Sequence, residues 1–128
     1  RFNKEYEWEL IRFCNKLNLS VVGGAGKLLH YFKKQYQPKS IVSYADRRWS
    51  NGNLYVQLGF TFLHKSAPCN YFWRNGSEIH HRLKFQKHKL PDVLEVFDET
   101  KTAKENIFAN GWKELWDCGN LTYGWKND

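Results

Sequence analysis

The chain has 128 residues, 41% of them apolar and 17% aromatic, which suits one globular domain with a core and excludes a disordered chain. Twenty lysines and arginines against thirteen acids leave a net charge of +7, so a polyanion, nucleic acid first, is the expected partner. No apolar run approaches the roughly 20 residues of a membrane span, and the opening "RFNKEYEWEL" lacks a signal-peptide core.

Residues 5–13, "EYEWELIRF", alternate Tyr6, Trp8 and Leu10 with Glu5, Glu7 and Glu9. That pattern predicts a half-buried strand, although Trp8, Ile11 and Cys14 would also share a helix face. "NKLNLS" then reads as a loop leading into "VVGGAGKLL". From Ala25 the period changes: Ala25, Leu28, Leu29, Phe32 and Tyr36 form a helical stripe, with Lys33 and Lys34 off it and Pro38 ending it. "SIVSYAD", residues 40–46, predicts a short strand. Ser50 is placed to cap a short helix that Gly59 stops, and Phe60–Leu63 restart as a strand.

In the second half, "NYFW" and "IHHRLKF" flank Arg74-Asn75-Gly76-Ser77, a hairpin signal. "LPDVLEVF" predicts a short helix, and Thr102 with Glu105 forms a capping-box match opening another that ends near Gly111. "WKELWDCGNLTYGW" predicts a closing hairpin that turns at Cys118-Gly119-Asn120, with Trp112 and Trp116 on one strand face. The fold class expected is α/β, with α+β as the variant: a mixed sheet with flanking helices, and one domain over 1–128.

Three cysteines without C-x-x-C spacing predict reduced thiols in a cytosolic setting and no zinc site. With no methionine and an arginine at position 1, the chain is expected to be part of a longer protein.

The glycine stretch invites a phosphate-loop reading, but a Walker loop needs glycine where Val21 stands and a hydroxyl where Leu28 stands. A dinucleotide fingerprint started at Gly24 and Gly26 fails at Leu29. Two readings stay open. Gly23, Gly24, Gly26 and Lys27 form either an anion-accepting helix start or a tight strand-to-helix turn.

With its flanks, the stretch "ELIRF…VVGGAGKLLHYFKKQYQPKSIVSYADRRWSNGNLYVQLGFTF" resembles the core of the GNAT (N-acetyltransferase) superfamily. The resemblance covers roughly residues 7–62. It implies a strand, a glycine loop holding the coenzyme A pyrophosphate at a helix start, a second strand, and a short helix ending like "LYVQLGF". It also implies Tyr55 as general acid toward the departing thiolate. The family's loop carries Gln or Arg where this chain has Val21, and the family's first strands have no counterpart here. No cofactor is therefore expected, and acetyl-CoA only if acyl transfer is kept.

Over nearly the whole length, "ELIRFCNKLNLSVVGGAGKLL", "SYADRRWSNGNLY", "RLKFQKHKL" and "LWDCGN" resemble a C-terminal domain of phage-encoded homing-endonuclease-type proteins. That resemblance implies a DNA-associated role behind a nuclease or zinc-ribbon module, in the cytoplasm of a bacterial host.

Segment 79–90, "IHHRLKFQKHKL", has no acid and is read as a strand burying Leu83 and Phe85 while presenting Arg82, Lys84 and Gln86. Lys87, His88 and Lys89 extend the row. It is either a phosphate-binding surface or a lysine-protected sheet edge. Arg47 and Arg48, beside Asn51 and Asn53, form a second candidate, and Arg74 a further contact. Asp46 can pair with one of these arginines, or serve an endonuclease site of the chain's own.

Overall fold

The computed structural model describes residues 3–128. In chain order the elements are β1 (Trp8–Leu10), α1 (Gly24–Tyr36), β2 (Ser40–Asp46), α2 (Asn53–Gln57), β3 (Thr61–Lys65), β4 (Asn70–Arg74), β5 (Glu78–His81), α3 (Leu90–Val93), α4 (Ala103–Ala109), β6 (Lys113–Trp116) and β7 (Asn120–Lys126). One mixed sheet, one antiparallel sheet and flanking helices are present, as the α/β or α+β reading requires. The chain forms two compact units: the described residues up to Ala67 with Gly119–Asp128, and Pro68–Cys118.

The first unit is a four-stranded sheet in the order β1-β2-β7-β3. β1 runs parallel to β2, and α1 makes the crossover that a parallel pair needs. β7 lies antiparallel to both β2 and β3. Ile41, Ala45, Phe60 and Tyr123 form the core, with Leu29 and Phe32 of α1 and Tyr55 and Leu58 around α2 packed against it. β1 is shorter than the nine-residue alternation suggested, because only Trp8–Leu10 find partners on β2.

α1 has a narrower buried stripe than its apolar spacing implies. Leu28 and Tyr36 remain 62% and 61% exposed, whereas Lys33 turns inward and sets its Nζ 3.7 Å above the Trp125 ring. Burial there holds the Lys33 ammonium below the usual lysine range. A cation–π contact with a covered aliphatic stem explains why a lysine occupies that position.

The second unit is an antiparallel sheet in the order β5-β4-β6, covered by Phe85, Leu90, Leu94, Ile107 and Trp112. Leu90 is wholly buried, worth about 2–3 kcal/mol on transfer from water. The capping box forms: the Thr102 side chain accepts from the Glu105 N–H, and the Glu105 carboxylate accepts from the Thr102 N–H at 2.7 Å. Such a cap contributes about 1 kcal/mol.

Two expectations are corrected. The closing hairpin does not form: β6 pairs with β4, and β7 pairs with β2 and β3, so Cys118 ends one unit and Gly119 begins a return to the other. Trp112 is accordingly buried ahead of β6, while Trp116 is 56% exposed. The basic strand also stops early. After His81 the chain winds into 3-10 turns at Arg82–Phe85 and Lys87–Lys89. The imidazole Nδ1 of His81 accepts from the Leu83 N–H at 3.2 Å, a local cap that competes with strand pairing. At three residues per turn only Phe85 reaches the core, and Leu83 is left half exposed.

Candidate nucleic-acid interface

β2 and β7 end and begin together, with Asp46 opposite Asn120. The loop from Asp46 to Asn53 leaves the sheet there, outside the carboxyl end of the parallel β1–β2 pair, where open α/β sheets place ligands. The Asp46 carbonyl accepts from the Trp49 N–H at 3.0 Å and the Ser50 N–H at 2.9 Å. Its carboxylate accepts from the Arg48 N–H at 2.9 Å and from the Arg48 guanidinium, with Nη2 at 2.6 Å. These Arg48 hydrogen bonds hold the Asp46 carboxyl below the usual aspartate range.

Further along, Ser50 Oγ accepts from the Gly52 N–H at 3.1 Å, and Asn51 Oδ1 accepts from the Asn53 N–H at 3.0 Å. The Tyr123 hydroxyl donates to the Asn51 carbonyl at 3.3 Å. The expected Ser50 cap thus becomes a turn just ahead of the helix, whose N-cap is Gly52 at φ +79°. A Cβ at Gly52 would run into the Tyr123 hydroxyl.

Arg47, Arg48, Asn51 and Asn53 are all exposed on this loop, as is Trp49. Tyr55 is not placed as a free acid: its ring lies against Phe60 and Tyr123, and its hydroxyl reaches the Tyr44 carbonyl at 3.5 Å.

The glycine loop opens α1 as expected. Gly23 is the left-handed N-cap at φ +68°, with no side-chain cap and no acid in the first turn. A Cβ at Gly24 would sit 3.2 Å from Val21, whereas one at Gly26 would meet nothing closer than 4.0 Å. A tight turn therefore accounts for Gly23 and Gly24 but not for Gly26. Lys27 is exposed one turn into the helix.

In the second unit, Arg82, Lys84, Lys87, His88 and Lys89 are all exposed. Lys84 Nζ lies 3.0 Å from His80 Nε2, and Lys89 Nζ donates to the Leu83 carbonyl at 3.0 Å. Arg74 is structural instead. Its guanidinium pairs with Glu95 at 3.0 Å and Glu78 at 3.4 Å, and stacks 4.5 Å over the Trp112 ring. Hydrogen bonding to His80 and the nearby Arg74 charge hold the Glu78 carboxyl below its usual range.

The sequence did not reveal one pairing here: Cys69 Sγ sits 3.3 Å from His81 Nε2, twelve residues away across a hairpin. No group of three or more metal-ligating side chains occurs among the described residues. No helix among them is long and apolar enough to cross a membrane.

The charge divides unevenly. Segments 1–67 and 119–128 hold twelve lysines and arginines against five acids, whereas 68–118 holds eight of each. The whole net charge belongs to the unit bearing the 46–53 loop.

Fold and loop together define a mixed α/β chain with a basic, arginine- and asparagine-bearing surface at the carboxyl end of its parallel strands. No protein-family model matches the chain, and no curated protein is significantly similar to it.

Proposed function

We propose that the chain is a DNA-binding domain of the phage-type homing-endonuclease class. Each unit offers its own backbone-contacting segment, the 46–53 loop in the first and the 82–89 segment in the second. The observation that carries this reading is the charge partition: the +7 falls wholly in the unit whose loop displays Arg47, Arg48, Asn51 and Asn53. Cations in excess of local acids attract phosphate and release its counterions, and the acid-free 82–89 segment does so locally on a neutral body. Asp46 is committed to Arg48, which supports a shaping rather than a cutting role for it. Strand cleavage belongs, in this reading, to a nuclease or zinc-ribbon module elsewhere in the same protein, acting in the cytoplasm of a bacterial host.

Affinity for a short blunt duplex, measured as a function of salt, tests the proposal. The logarithm of the binding constant should fall linearly with the logarithm of salt, by about 0.9 per phosphate neutralised. The Arg82→Ala/Lys84→Ala/Lys87→Ala triple variant should flatten that slope by about 3, and Arg47→Ala by about 1. No binding at low salt, or a slope that neither variant moves, sinks the reading.

The spare room at Gly26 favours a second reading, an acyl-CoA-dependent N-acyltransferase with the pyrophosphate at Gly23–Lys27. A melting-temperature rise with acetyl-CoA that Gly26→Arg removes would select that reading.

A further inference from the structure

The loop that carries Arg47 and Arg48 also carries an indole turned to solvent. Trp49 is 83% exposed, the most exposed aromatic side chain among the described residues, and its ring stacks on none of them. The other tryptophans of the first unit behave differently. Trp8 packs edge-on against Phe32 at 5.1 Å, and Trp125 lies under Lys33.

Nor is Trp49 exposed because its backbone is loose. Its own N–H is bound to the Asp46 carbonyl, Arg48 before it is clasped by the Asp46 carboxylate, and Ser50 after it returns to the same carbonyl. The Arg47 N–H donates to the Gly119 carbonyl at 3.1 Å, and the Tyr123 hydroxyl fixes Asn51 from below. A stiff turn thus presents an apolar plane to solvent between two guanidinium-bearing residues and two carboxamides.

We propose that Trp49 is a stacking platform for an unpaired nucleobase, so that this surface prefers single-stranded or unpaired DNA over intact duplex. The inference rests on the DNA-binding reading and specifies its substrate. Every base offers a π-face, but in a duplex that face is covered by its neighbours. An exposed indole therefore gains most from a base already out of the stack. Arg47 supplies phosphate attraction for the same strand, and Asn51 and Asn53 supply donors and acceptors for an exposed base edge. Because the turn is already ordered, binding orders little more than the ring itself.

The test compares the affinity of the chain for a fluorescent single-stranded oligonucleotide, its blunt duplex, and that duplex with one unpaired bulged base. Trp49→Ala should weaken single-strand and bulge binding about 5- to 100-fold, with duplex affinity changed less than about 2-fold and the salt slope unmoved. Trp49→Phe should restore most of the loss, since a smaller ring still stacks. Equal losses on duplex and single strand overturn the inference in favour of a general contact or duplex wedge. No loss on any DNA overturns it too, while salt-dependent duplex binding by the same variant leaves the parent reading standing. If the wild-type chain binds no DNA at all, both fall.

Discussion

The two units use charge in opposite ways. In the second unit acids and bases are equal in number and meet one another: Arg74 with Glu78 and Glu95, Lys104 with Glu114, Lys101 with Asp98. Its basic segment is a local feature of a neutral body. In the first unit acids are scarce and spent on shaping the backbone. Asp46 clasps Arg48, and Glu7 accepts the Lys39 N–H. Cations there outnumber acids by seven, so attraction to a polyanion is a property of the unit and not only of one segment. A run of lysines and arginines is therefore a weaker guide to a phosphate surface than the balance of the body carrying it.

The widest break in the comparison is expected from Leu90→Ala. Emptying a wholly buried site should cost the second unit about 2–5 kcal/mol. Amide hydrogen exchange should accelerate through β4, β5 and α4 while the β2–β7 ladder keeps its protection. Equal acceleration in both would show one cooperative body and remove the division.

A smaller effect, confined to the first unit, is expected from Gly52→Ala. The positive φ and the Tyr123 hydroxyl in the path of the new Cβ should together cost about 1–3 kcal/mol and reshape the 46–53 loop. Thermal unfolding would read the loss, and DNA affinity should fall with it. A variant as stable as the wild type would mean that Tyr123 does not set the loop.

The smallest effect is on pH. The Asp46 carboxyl is held below its ordinary value, so the Arg48 clasp is fully present above the unfolded aspartate value of about 3.9. It is lost only as the pH falls through the lower folded-state value. The Arg48 Nε–H signal in NMR should therefore persist at pH 4 and broaden below it. Its loss at higher pH would mean that the carboxylate is not what holds Arg48. Above that window the loop should keep its shape and its DNA affinity.

Several features were legible because their signals are local. Pro38 closes α1, β2 spans the predicted 40–46, Asn75 and Gly76 both take positive φ in the β4–β5 turn, and Thr102 caps α4 through Glu105. The candidate site was partly legible for the same reason, since Arg47, Arg48, Asn51 and Asn53 are adjacent in the chain. What misled was alternation without a partner. Leu83 and Phe85 suit a strand, but His81 closes a turn on the Leu83 N–H first. Arg74 reads as one more cation until Glu95, twenty-one residues on, takes it up.

The sequence by itself therefore determined the helix and turn positions, which depend on neighbours within a turn or two, and the class of fold and the sign of the charge, which follow from element order and composition. Tertiary structure alone decided that β7 closes on β2 and β3 rather than on β6, since strand pairing is a choice among distant partners that no local pattern encodes. That choice sorts the charge into a basic unit and a neutral one, and fixes the ends of β2 and β7 together where the loop bearing Trp49 begins.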